Sequence, residues 1–126
     1  MRNVSSGNAE NASELKRWAK ENKCDLNVIE LDVTKPESTE KAIDEIVRKQ
    51  GQLDVLINNA GHGSMGLTED FTDELVRQQF ETNFFGLLNV TKAAIPFLKH
   101  ESNGLIITVS SSLGRFVIPT MQVYGA

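Results

Sequence analysis

Three short apolar runs, NVIELDV at residues 27–33, LDVLINNAG at 53–61 and GLIITV at 104–109, each stop at polar or turn residues. Stretches with helical spacing separate them. Runs of this length bounded by turn residues read as strands, and strands that alternate with helices imply an α/β fold on a parallel sheet. GLIITV is apolar on both alternating faces, so helices are expected to cover it on both sides.

The intervening stretches carry their own start and stop signals. In NASELKRWAKENK, Leu15, Trp18 and Ala19 fall at i, i+3 and i+4 among charged residues, which predicts a surface helix with those three buried. Pro36 suits a first helical position, Ile43, Ile46 and Val47 supply an apolar face, and Gly51 stands where a C-terminal cap belongs, so residues 36–50 form the next helix. From Thr72, a good N-cap, apolar positions 76, 80, 84, 87, 94 and 98 trace a long helix over 72–99, with Pro96 bending its last turn and His100 capping its end. Ligands of parallel sheets bind beyond the carboxyl ends of the strands. Those ends carry Asp32, Asn58 to Gly61, and Ser110 to Ser112.

A chain of 126 residues with 40% hydrophobic content supports one domain, residues 1–126. Its net charge of −4, with scattered basic residues, gives no electrostatic reason for a nucleic-acid or membrane partner. The one cysteine, Cys24, has no disulfide partner and no ligand spacing to His62 or His100, so no metal site is expected and the cytoplasm is the expected compartment.

GHGSMG at 61–66 satisfies G-x-G-x-x-G, but LTEDF separates it from the next helix and Glu81 lies inside that helix. A dinucleotide fingerprint joins strand to helix directly, so this match is read as an accidental one in a flexible loop. Four other pieces occur in a telling order: NNAG closing a strand, FETNFFG in the next helix, VSSSLG closing the following strand, and YGA with its tyrosine thirteen positions after Ser111. Taken singly, Tyr124 reads as a helix-entry aromatic, Ser111 as a turn serine and Asn83 as a helix-surface residue.

Together, from Val28 to Ala126, these pieces resemble the short-chain dehydrogenase/reductase family. The resemblance implies an oxidoreductase that interconverts an alcohol and a carbonyl with NAD or NADP on a partial Rossmann-type, doubly wound parallel sheet. It assigns Tyr124 as acid/base, Ser111 as the hydroxyl holding the substrate oxygen, with Ser110 and Ser112 as alternatives, and Asn83 as part of a proton relay. Asp32 becomes an adenine contact, and Asn59, Ala60 and Gly61 the segment beside the cofactor ribose. A carbonyl accepting hydride becomes an alkoxide, so a proton donor and a fixed hydrogen-bond donor must meet one oxygen.

The chain departs from the family pattern at both ends. The family's TGxxxGxG turn precedes anything present here, and its lysine four residues after the tyrosine would be position 128, past Ala126. A piece truncated at both ends is therefore expected, with three strands, the family's first two strands missing, and a sheet that either has a gap or closes by direct pairing. Binding of cofactor by the 126 residues alone is not expected. Met1 to Asn3 resemble the end of the family's second strand, which puts Arg2 where such proteins hold the 2′-phosphate of NADP and tips the preference toward NADP. The family also implies a homo-oligomer through the helix 72–99, involving Phe84, Phe85 and Leu88. Two rival readings are a non-catalytic association module using that helix and a receiver-type signalling domain, although Asp32 lacks the acidic cluster the latter needs.

Overall fold

The computed structural model describes residues 1–99, 103–116 and 118–126. Helix α1 (Ala9–Glu21) and helix α2 (Pro36–Gln50) precede strand β1 (Val55–Asn58). A 3-10 turn at Thr68–Asp70 leads to α3 (Asp73–Phe80), a π-helical turn at Glu81–Gly86 and α4 (Leu87–Leu98), which run on from one another. Strand β2 (Leu105–Thr108), a 3-10 turn at Ser112–Gly114 and the short helix α5 (Gln122–Gly125) follow.

Strands β1 and β2 pair in parallel, Val55 beside Leu105 through Asn58 beside Thr108. The ladder continues past the carboxyl ends, where Val109 N–H donates to the Asn58 carbonyl at 2.9 Å. Helices α2 and α4 lie against one face of β1, and their apolar stripes meet Leu56 in a core of Ile43, Leu56, Val90, Ala94 and Leu98. Successive strand side chains point to opposite faces, so Leu56 is 8% exposed while Ile57 is 59% exposed.

Local signals place the helix ends. Pro36 opens α2, and Gly51 closes it at φ 82°, a left-handed conformation that glycine adopts without steric cost. The Thr72 hydroxyl caps α3 by accepting from Leu75 N–H at 3.3 Å. The π-helical turn was not expected from the spacing. It brings Gly86 so close to Val33 that a β-carbon there would sit 2.6 Å from Val33 Cγ2. Asn89 fastens the same contact by donating from Nδ2 to the Val33 carbonyl at 3.1 Å.

Four expectations are corrected. Of the three strands expected, the run at 28–32 forms no ladder, and the described sheet has two strands, β1 and β2. Met1 pairs with that run, its amino group donating to the Ile29 carbonyl and its carbonyl accepting from Leu31 N–H. A strand exists through its partner, and a single residue is too short to be one. In α1 the buried residues are Ala12 and Ala19, whereas Leu15 and Trp18 are 40% and 52% exposed because no sheet lies beneath them. Strand β2 is not covered on both sides, since Leu105, Ile106 and Ile107 all stay at least 40% exposed. The loop 61–66 is not free either, for the reasons given below. The expected cap at His100 lies outside the described residues.

Candidate functional site

Beyond the carboxyl ends of β1 and β2 lies a cavity of about 420 Å³, whose wall includes Asn59, Ala60, Gly61, Asn83, Ser110 and Tyr124. These residues come from four separate segments. Asn58, 8% exposed, anchors the end of β1 by donating from Nδ2 to the Thr91 hydroxyl of α4 at 3.0 Å. The chain then turns outward, and Gly61 passes so near the long helix that a β-carbon would sit 3.3 Å from Asn83 Oδ1.

Asn83 stands in the π-helical turn, a feature often found at functional sites. Its amide is committed to the loop. Oδ1 accepts from His62 N–H at 3.0 Å, and Nδ2 donates to the His62 carbonyl at 2.7 Å. One helical turn earlier, Gln79 Oε1 accepts from Ser64 N–H at 2.9 Å. Both loop N–H groups are thus spent on side chains, and no helix starts at residue 66, so GHGSMG offers no phosphate cradle. Gln79 is only 2% exposed and was not singled out from the sequence. Its signal was a polar residue four positions before Asn83, on the stripe otherwise filled by Val76 and Phe80.

The serines divide. Ser110 lines the cavity. Ser111 is half-buried, and its Oγ accepts from Leu113 N–H at 3.2 Å, closing the turn that follows β2. A hydroxyl that accepts through a lone pair keeps its proton to donate, so Ser111 Oγ is oriented and retains a donor. Tyr124 sits half-buried in α5, its ring against Gly63, where a β-carbon would meet Cγ and Cδ2 at 3.0 Å.

Asp32 and Arg2 lie outside this cavity. Arg2 lines a neighbouring hollow with Thr34 and Lys35, and His62 borders both spaces. Burial pushes the Asp32 carboxyl up, but hydrogen bonds from the Thr34 hydroxyl at 2.8 Å and N–H at 3.1 Å, with the charges of Arg2 and Lys35, hold it below its ordinary value. Asp32 is therefore a fixed anion whose Oδ1 already serves the turn into α2. Among the described residues no cluster of histidine, cysteine or acidic side chains could hold a metal, and no helix is long and apolar enough to cross a membrane.

Residues 3–126 match the short chain dehydrogenase family. The chain is 41% identical over 110 residues to a 3-ketodihydrosphingosine reductase of Bacteroides thetaiotaomicron, covering 87% of this chain and 41% of that protein. It is 38% identical over 101 residues to human retinol dehydrogenase 8, covering 80% of this chain and 32% of the other. Among solved structures, NAD+-bound xylitol dehydrogenase superposes with a TM-score of 0.87 at 27% identity, over 94% of this chain and 46% of that one. ElxO with NADP bound superposes at 0.74 with 35% identity, over 79% and 40%. The chain thus spans less than half the length of these relatives. A match running from residue 3 to Ala126 rules out the receiver-type reading: the chain belongs to the short chain dehydrogenase family.

Proposed function

We propose that these residues form the carbonyl end of an NAD(P)(H)-dependent oxidoreductase that interconverts an alcohol and a carbonyl. The observation that carries the reading is the convergence of Tyr124, Asn83, Ser110 and the segment Asn59–Gly61 in one cavity, with Ser111 next in the chain. In the reductive direction the Tyr124 phenol gives a proton to the carbonyl oxygen, and the Ser111 hydroxyl holds that oxygen as it gains negative charge. In the oxidative direction Tyr124 takes the proton back.

The residues present fit a dinucleotide in two respects. Asn59, Ala60 and Gly61 line the cavity together, and the cation of Arg2 borders a hollow that meets the cavity at His62. Asn59 to Gly61 would hold the ribose, Asp32 the adenine side, and Arg2 a 2′-phosphate, which favours NADP. When bound, the nicotinamide supplies or accepts the hydride. For the substrate, Phe116 and Ile118 are 66% and 48% exposed rather than packed, and Val123 lines the cavity, which favours an apolar carbonyl compound such as the relatives' names suggest.

The long helix adds an association surface. Phe84 turns to the cavity, whereas Phe85, 47% exposed, borders a separate hollow on the outer side of α3, and the two rings meet edge to face at 5.2 Å. A second copy of the chain is the proposed occupant.

The test is NADPH oxidation by a protein of full family length containing these residues, offered a keto sphingoid base and retinal. Turnover is expected, and Tyr124→Phe should lower kcat on the order of 10²-fold to 10⁴-fold. A mutant that turns over like its parent would remove Tyr124 from the mechanism.

A further inference from the structure

We infer that Gln79 and Gly63 act together as a gauge that sets the phenol ring of Tyr124, which makes Gln79 a positioning residue of the site. Its catalytic meaning rests on the role proposed for Tyr124, but its geometry does not.

Two side chains one helical turn apart pin alternate residues of the same loop. Asn83 holds His62 through both its N–H and its carbonyl, and Gln79 holds Ser64 through its N–H at 2.9 Å. Gly63 is caught between them. Its φ is not left-handed, so glycine is required there for space rather than for backbone freedom. The side-chain volume that any other residue would use is occupied by the Tyr124 ring, with Cγ and Cδ2 each 3.0 Å from the β-carbon position and Cδ1 at 3.4 Å. The far end of the loop is joined to the segment entering α5, Gly66 N–H donating to the Thr120 carbonyl at 2.9 Å.

The ring therefore rests on the backbone at residue 63, and the height of that backbone is set on the α3 side by a side chain 2% exposed. The Gln79 side chain is a stiff support, because at 2% exposure its packing holds the amide that accepts from the Ser64 N–H. Leucine at position 79 fills similar space but accepts nothing. Glutamate keeps an acceptor at the same reach. Gly63→Ala acts from the other side, by pushing the ring off its seat.

The chain has one tyrosine, so a ring-labelled sample reports Tyr124 alone. In the 126-residue chain, nuclear Overhauser contacts between the Gly63 α-protons and the Tyr124 ring are expected, with the Gly63 protons shifted by the ring current. Gln79→Leu should abolish both signals, Gln79→Glu should keep them, and Gly63→Ala should move the tyrosine resonances. Persistence of the Gly63 contact in Gln79→Leu would overturn the inference. Should that variant not fold, Gly63→Ala decides, and tyrosine resonances identical to the parent's would overturn it equally. In an active protein of family length, Gln79→Leu should lower kcat on the order of 10²-fold with KM little changed, as expected of a misplaced reacting group. A lost contact with unchanged kcat would leave the gauge standing and remove the catalytic role proposed for Tyr124.

Discussion

At the scale of single residues, the two serines put the family resemblance and the cavity geometry to a direct comparison. Spacing to Tyr124 selects Ser111, while the cavity wall contains Ser110. Ser111→Ala is expected to cost on the order of 10²-fold to 10³-fold in kcat, the range of other oxyanion donors, in a protein of family length. A larger loss in Ser110→Ala would transfer the role. Asp32 makes a different kind of prediction, in stability. Its folded pKa lies below the ordinary carboxylate value, so the folded state binds its proton less readily than the unfolded state does. The stabilisation is complete above the unfolded pKa and is lost as pH falls through the folded one. Asp32→Asn should therefore lower the urea midpoint at neutral pH, and the gap from the parent should close in acid. That Tyr124, Asn83 and the NNAG segment meet at one cavity was legible through the family resemblance their motifs carry. Gln79 was not, because its role depends on a loop folding back onto α3 from fifteen residues upstream.

At the scale of elements, what was legible is what acts within one turn of chain. Pro36, Gly51 and the Thr72 hydroxyl each satisfy or terminate backbone groups beside them, and the helix ends fall where those residues predict. The π-helical turn escaped because one wider turn barely disturbs an apolar stripe read at intervals of three or four. The run at 28–32 escaped because a strand is defined by a neighbour that sequence periodicity does not supply. The Gly86–Val33 approach offers a test of how tightly the π-helical turn is seated. Gly86→Ala would set a methyl group 2.6 Å from Val33 Cγ2 and 3.2 Å from the Glu81 carbonyl oxygen. It should destabilise by about 1–3 kcal/mol, the usual cost of overpacking, and by less in a Val33→Ala background. Urea unfolding followed by far-ultraviolet circular dichroism would measure both, and equal costs in the two backgrounds would place the strain elsewhere.

At the scale of the whole molecule, the fold class followed from the alternation of elements, and the uneven coverage of the sheet did not. Helices cover one face of β1, while Val55, Ile57, Leu105, Ile106 and Ile107 keep 40% or more of their surface exposed. Apolar surface of this extent favours association. If the proposed partner is a second copy seated on the long helix, Phe85→Asp should lower the sedimentation-derived mass toward that of one chain without altering the helical content. An unchanged mass would assign association to the sheet instead. Trp18, half-exposed on α1, has an optical consequence. The chain's only indole is already in water before unfolding and lies on an element apart from the cavity wall. Its emission should shift little when the chain unfolds or when the cavity fills, so tryptophan fluorescence would record a nearly silent transition in a protein whose core has melted.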